Sequence, residues 1–127
     1  MPSIKQVSSV DAPPALGPYS QATLANGFIF CAGQIPLRSD GTMVEGDIKI
    51  QTKQVMENQN AVLAAAGSSL DRVVQASVFL VDLSDFAGMN EVYGQYFNGK
   101  IPPARTTVQV AALPKGAKVE IAFIAVG

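Results

Sequence analysis

Histidine is absent from this 127-residue chain, and cysteine occurs once, at Cys31. Without an imidazole there is no Ser-His-Asp or Cys-His arrangement, no histidine metal ligand and no proton shuttle with an ordinary pKa near neutrality. A lone cysteine excludes an internal disulfide and makes a reducing compartment the simpler expectation. Charge is scarce too. Nine basic and ten acidic residues, spread without runs, leave a net charge of −1, which gives no field to draw in a polyanion, so nucleic acid is disfavoured as a partner. No apolar run approaches a membrane span. The opening "MPSIKQVSSVDAPPALGPYS" has neither an apolar signal core nor an Arg-rich amphipathic start. The expectation is a cytoplasmic chain with no membrane partner. The mitochondrial matrix stays open, because a chain whose presequence had been removed would read the same.

What is present is apolar. Hydrophobic residues make up 48% of the chain and charged residues 15%, against about 25% charged in an ordinary soluble protein. The whole of 1–127 reads as one domain with ample core and little charge to cover its outside, so part of its surface is expected to be buried in an oligomer.

Along the chain, the Pro-rich "DAPPALGPYS" (11–20) reads as an ordered loop. "SQATLANGFIFCAG" (20–33) reads as two strands around the turn pair Asn26-Gly27, closed by Gly33. From Asp47 to Ala66 the positions Ile48, Thr52, Val55, Met56, Gln59, Val62, Leu63 and Ala66 step by three and four, and Gly67 supplies the stop. Arg72 to Asp82 is β-branched and reads as a strand. A second helix carries Phe86, Met89, Tyr93, Tyr96 and Phe97 on one stripe, with Ser84 or Asp85 as N-cap and Gly99 as stop. Strands at Arg105–Ala111 and Val119–Val126 follow, joined through "LPKGAK". The pattern predicts an α+β fold with a sheet covered on one face by two helices. Two strands are apolar on both faces: Val74, Ala76, Val78 and Leu80 against Val73, Phe79 and Val81, and Val119, Ile121 and Phe123 against Ala122, Ile124 and Val126. The uncovered face is expected to meet other copies of the chain.

Arg105 opens a strand after Pro102 and Pro103, with no acidic residue nearby in sequence. It is either a snorkelling side chain, one that caps a carbonyl or pairs with a surface acid, or a planar fork suited to a carboxylate or phosphate. Thr107 and Gln109 share its face. Glu120 interrupts the apolar "KVEIAFIAV", either paired with Lys118 or Lys115 or acting on a proton or a water. Tyr19, stiffened by Gly17 and Pro18, either packs over the hairpin or walls a pocket. Asn90 lies beside the apolar stripe of the second helix, where such a residue commonly bonds a neighbouring carbonyl. Gly33 and Gln34 permit close approach of a ligand to the backbone. Cys31 reads as an inert core residue.

Taken together, "GPYSQA" (17–22), "CAGQIP" (31–36), "DLSDFAGMNEVY" (82–93) and "PPARTTVQVAALPKGAKVEIAFIAV" (102–126) resemble the Rid family, the reactive intermediate deaminases, over nearly the whole chain. The resemblance implies a homotrimer of chorismate-mutase-like α+β subunits, their sheets packed into a central barrel with clefts between subunits. It implies hydrolysis of enamines and imines such as 2-aminoacrylate and 2-iminopropanoate to a 2-keto acid and ammonia, with no metal or organic cofactor. By the same resemblance Arg105 binds the substrate carboxylate and Glu120 positions water. Tyr19, Asn90 and Gly33 belong to the binding cleft. Position 107, cysteine in many members, is Thr107 here and argues against a thiol step. Ala32 stands where some members have serine. The alternatives are a non-catalytic small-metabolite or regulatory binding protein, and the family's associations with translation inhibition or RNA cleavage.

Overall fold

The computed structural model describes residues 3–127. Eight main elements alternate as β1 (Lys5–Val7), β2 (Ala22–Ala25), β3 (Phe28–Gln34), α1 (Ile48–Ala65), β4 (Val73–Leu80), α2 (Phe86–Tyr96), β5 (Ala104–Gln109) and β6 (Val119–Val126). The strands form one sheet in the order β1-β2-β3-β6-β4-β5. Only β4 and β5 pair in parallel, because a helix carries the chain between them. Among the described residues no helix is long and apolar enough to cross a membrane.

The turn residues behave as their chemistry requires. Asn26 and Gly27 take φ of 52° and 77°, the left-handed pair that closes a two-residue hairpin in step with strand twist. Asp47 caps α1 by accepting from the Ile50 N–H at 3.0 Å. Gly67, at φ 77°, ends the helix with its N–H on the Ala64 carbonyl. The start of α2 differs from expectation. Neither Ser84 nor Asp85 caps it with a side chain. Asp82 instead accepts from the Ser84 N–H at 2.9 Å, capping a short 3-10 turn that runs straight into the helix.

Both helices lie on one face of the sheet. Val119, Ile121, Phe123 and Ala125 of β6 point into the core between sheet and helices, with Val55, Met56, Val62 and Leu63 of α1 and Met89 and Tyr93 of α2. β1, not foreseen in the sequence, is only three residues long and pairs with β2. A second departure is Val74. The register slips by one residue between Val73 and Gln75, so Val73 joins the core while Val74 turns to the opposite face.

Among the described residues no helix covers that opposite face. Phe28, Phe30, Val74 and Val108 are 42%, 44%, 45% and 39% exposed. Pairing sets Phe30 beside Ile124, and Phe79 between Glu120 and Val108. The two-faced apolar pattern of β4 and β6 therefore corresponds to one face packed on helices and one face open.

Candidate functional site

Arg105 lies on the helix side of β5, at the edge of the sheet. Its register partner on β4 is the buried Ala76. The guanidinium sits over the Tyr93 ring at 4.9 Å and the Phe86 ring at 5.6 Å, both from α2, a cation–π arrangement that holds the planar fork in one orientation. No carboxylate pairs with it, since the one ion pair among the described residues joins Lys49 and Glu91. Phe86, Asn90 and Tyr93 follow the i, i+4, i+7 spacing of one helix stripe. Thr107, two residues beyond Arg105, faces the same side.

Three buried polar atoms gather on these two elements without a hydrogen-bond partner: Asn90 Oδ1, Tyr93 OH and Thr107 Oγ1. Buried groups of this kind are ordinarily satisfied, and these three lie on the two elements that carry Arg105 and the rings beside it, which makes this the candidate place for a polar ligand. Burial raises the Tyr93 pKa above its ordinary value, and the neighbouring positive charge of Arg105 pulls against that rise. The unpartnered Asn90 oxygen is an acceptor, so what it lacks is an N–H or O–H donor.

Tyr19, Gly33 and Glu120 meet elsewhere, in a pocket walled by Pro13, Leu16 and Pro114. The Tyr19 ring folds back on its own loop, its hydroxyl accepting from the Leu16 N–H at 3.0 Å. Gln21 secures that loop by donating to the Pro13 carbonyl at 2.8 Å and accepting from the Ser9 N–H at 2.6 Å. Glu120 projects from the open face of β6 across a bulge in β3. A Cβ built on Gly33 would stand 2.5 Å from Glu120 Oε2, so glycine is what lets the carboxylate lie flat on the strand. The bulge also means that Gly33 lies within β3 rather than closing it. Burial raises the Glu120 pKa above its ordinary value of 4.5. Glu120 is paired with neither lysine that precedes it in sequence. Lys118 Nζ donates to the Gly46 carbonyl at 2.8 Å.

One chain therefore carries the expected site residues in two groups on opposite faces of its sheet. Arg105, Asn90 and Thr107 lie on the helix side, while Tyr19, Gly33 and Glu120 share the pocket beyond the other face. Phe86 and Tyr93, read from the sequence as core stripe alone, also flank the guanidinium. The signal for them was a polar asparagine set into an aromatic helix face. Cys31 is buried, its pKa pushed up to about 12 by desolvation, and it stays a neutral thiol at ordinary pH.

A family model described as Endoribonuclease L-PSP matches residues 9–127. Protein DfrA of Myxococcus xanthus is 55% identical over 125 residues, covering 96% of this chain and 95% of that protein. The 2-iminobutanoate/2-iminopropanoate deaminase of Homo sapiens is 44% identical over 121 residues, covering 94% of this chain and 88% of that protein. The Rid-family protein YyfA of Yersinia pestis superposes with a TM-score of 0.96 at 45% identity, covering 98% of this chain and 100% of that one. E. coli TdcF with bound serine superposes with a TM-score of 0.93 at 40% identity, covering 97% and 98% of the two chains. On the strength of both sequence and fold, the chain belongs to the Endoribonuclease L-PSP family, the Rid family of the resemblance.

Proposed function

We propose that the protein is a cofactor-independent hydrolytic deaminase of 2-imino acids, with enamines such as 2-aminoacrylate entering as their imine tautomers. Its site forms where the Arg105 half-site of one copy meets the Glu120 half-site of another. The observation that carries this reading is the Arg105 guanidinium, set over two rings with no carboxylate partner among the described residues, on elements that also carry three buried polar atoms without partners. That environment suits a small ligand with a carboxylate for the fork and polar substituents for Asn90, Tyr93 and Thr107. A related protein, TdcF, has been crystallised with serine, a small molecule bearing such a carboxylate.

The iminium carbon is already electrophilic, so the protein has only to hold the substrate, place water and move a proton. Arg105 grips the carboxylate. Glu120, ionised, takes a proton from water as the oxygen bonds to the imine carbon and the C=N electron pair moves to nitrogen. The resulting carbinolamine nitrogen receives that proton from Glu120. The C–N bond then breaks as the hydroxyl oxygen forms C=O, and ammonia leaves; the hydroxyl proton passes to Glu120 and from it to the ammonia, which leaves the carboxylate ionised again and the 2-keto acid formed. Placing Glu120 and Arg105 in one cleft needs a second copy, and the uncovered apolar face is the surface that would bring copies together, in the family's chorismate-mutase-like trimeric barrel.

The test is turnover of imine generated in the cuvette by an amino-acid oxidase, followed as keto acid and ammonia. Arg105→Ala should lose about 3–5 kcal/mol of carboxylate binding, a drop of roughly 10²–10⁴-fold in kcat/KM, with the oligomer intact. Unchanged turnover in this variant would overturn the assignment. Binding of 2-keto acids by the unaltered protein without ammonia release above the buffer rate would make it a binding protein.

A further inference from the structure

Gln59 of α1 is completely buried, yet it carries a carboxamide among apolar neighbours. Its Nε2 donates two hydrogen bonds across the sheet face, to the Ala32 carbonyl at 3.0 Å and the Ile121 carbonyl at 2.6 Å. These carbonyls straddle the β3 bulge. Cys31 pairs with Phe123 and Gln34 with Ile121, so β3 holds one more residue than β6 over this interval and its ladder is interrupted there. The Ala32 carbonyl belongs to the peptide entering Gly33, and Ile121 directly follows Glu120. Gly33 and Glu120 are the pair in close contact. The Ala32 N–H is fixed as well, donating to the Gln21 carbonyl at 2.9 Å. Gln59 Oε1 is buried with no partner among the described residues, a burden that an apolar side chain of similar length would avoid.

We propose that Gln59 is a positioning residue: its carboxamide ties the Ala32 and Ile121 carbonyls together, sets the bulge, and thereby holds the Glu120 carboxylate against the Gly33 backbone in its pocket. The catalytic consequence rests on the reading of Glu120 as the water-handling group, whereas the geometric claim stands apart from it. Tyr19 is the other titratable group lining that pocket. The residues facing Glu120 from β3 (Gly33, Gln34) and from β4 (Phe79) carry no charge.

The experiment compares the full chain with Gln59→Met, which keeps the length of the side chain but cannot donate. The Glu120 carboxyl is titrated by NMR with carbon-13 labelled glutamate, and turnover is measured in parallel. In Gln59→Met the Glu120 midpoint should fall toward the ordinary carboxylate value, and kcat should fall at least about tenfold with little change in KM. The double variant Gln59→Met/Glu120→Gln should be no slower than Glu120→Gln alone. An unmoved midpoint, or additive losses in the double variant, would overturn the proposal. Should Gln59→Met not fold, the unaltered protein decides: the Gln59 Nε2 resonance should shift with the Glu120 midpoint, and a flat response counts against coupling. Absence of imine turnover in the unaltered protein would defeat the proposed function, while the carboxyl titration would still settle the role of Gln59.

Discussion

Glu120 is a carboxylate in surroundings that disfavour its charge. Burial raises its pKa, so the folded protein holds the proton more tightly than the unfolded chain does. The neutral acid therefore suits the fold. Stability from this group is present at low pH and is lost as pH rises through the raised midpoint. Activity has the opposite dependence, because a general base must be ionised. Turnover should fall with acidification through a midpoint above the ordinary 4.5 of a carboxylate. Glu120→Gln should lose about 10²–10⁴-fold in kcat while melting no lower than the parent at neutral pH. A thermal melt paired with a pH–rate profile checks both signs. A variant that melts lower at neutral pH and keeps its turnover would mean that the carboxylate serves the fold instead. At this scale much of the site could be read from the chain. Arg105 and Glu120 stood out because each is a charge in an apolar strand with no obvious local reason. The orphaned oxygens of Asn90 and Thr107 could not be read, since they depend on what α2 and β5 place opposite one another.

Elements carry the site by small irregularities in otherwise regular structure. The helices, the hairpin and the last four elements followed from periodicity and turn chemistry, because Asn26-Gly27, Asp47 and Gly67 each perform a local task. The two bulges did not, because a register slip depends on the partner strand and leaves no local mark. One slip moves Val74 to the open face, and the other sets Gly33 under Glu120. The buried amides on α1 were hidden for the same reason. Gln51 donates to the Val44 carbonyl at 3.2 Å and Asn58 to the Leu37 carbonyl at 2.8 Å, both holding the loop that leads into α1. The bulge in β3 makes a sharp prediction. Gly33→Ala keeps an ordinary backbone but drives a methyl group to within 2.5 Å of Glu120 Oε2, and the flexible carboxylate is what must yield. The melting temperature should change by only a few degrees, while turnover drops about 10²-fold through misplacement of the carboxylate. Loss of stability without loss of rate per folded molecule would show that the close approach is incidental.

The whole molecule presents a sheet with one face packed and one face bare, and the proposed site is split between those faces. Arg105 lies on the helix side of the edge strand and Glu120 on the open face, and a symmetric assembly brings different faces of the chain together. The two-faced apolar strands are what points to such an assembly from the sequence, and no pattern in the chain says which group of residues would meet which. Subunit mixing tests the central claim most directly. Arg105→Ala and Glu120→Gln chains, each inactive alone, are unfolded together, refolded as mixed oligomers and assayed for ammonia release. If each cleft takes its arginine from one copy and its glutamate from the next, random mixing restores intact clefts and on the order of a quarter of the unaltered activity. If mixed oligomers form and remain as inactive as either parent, the two residues do not act from different copies, and the account is contradicted.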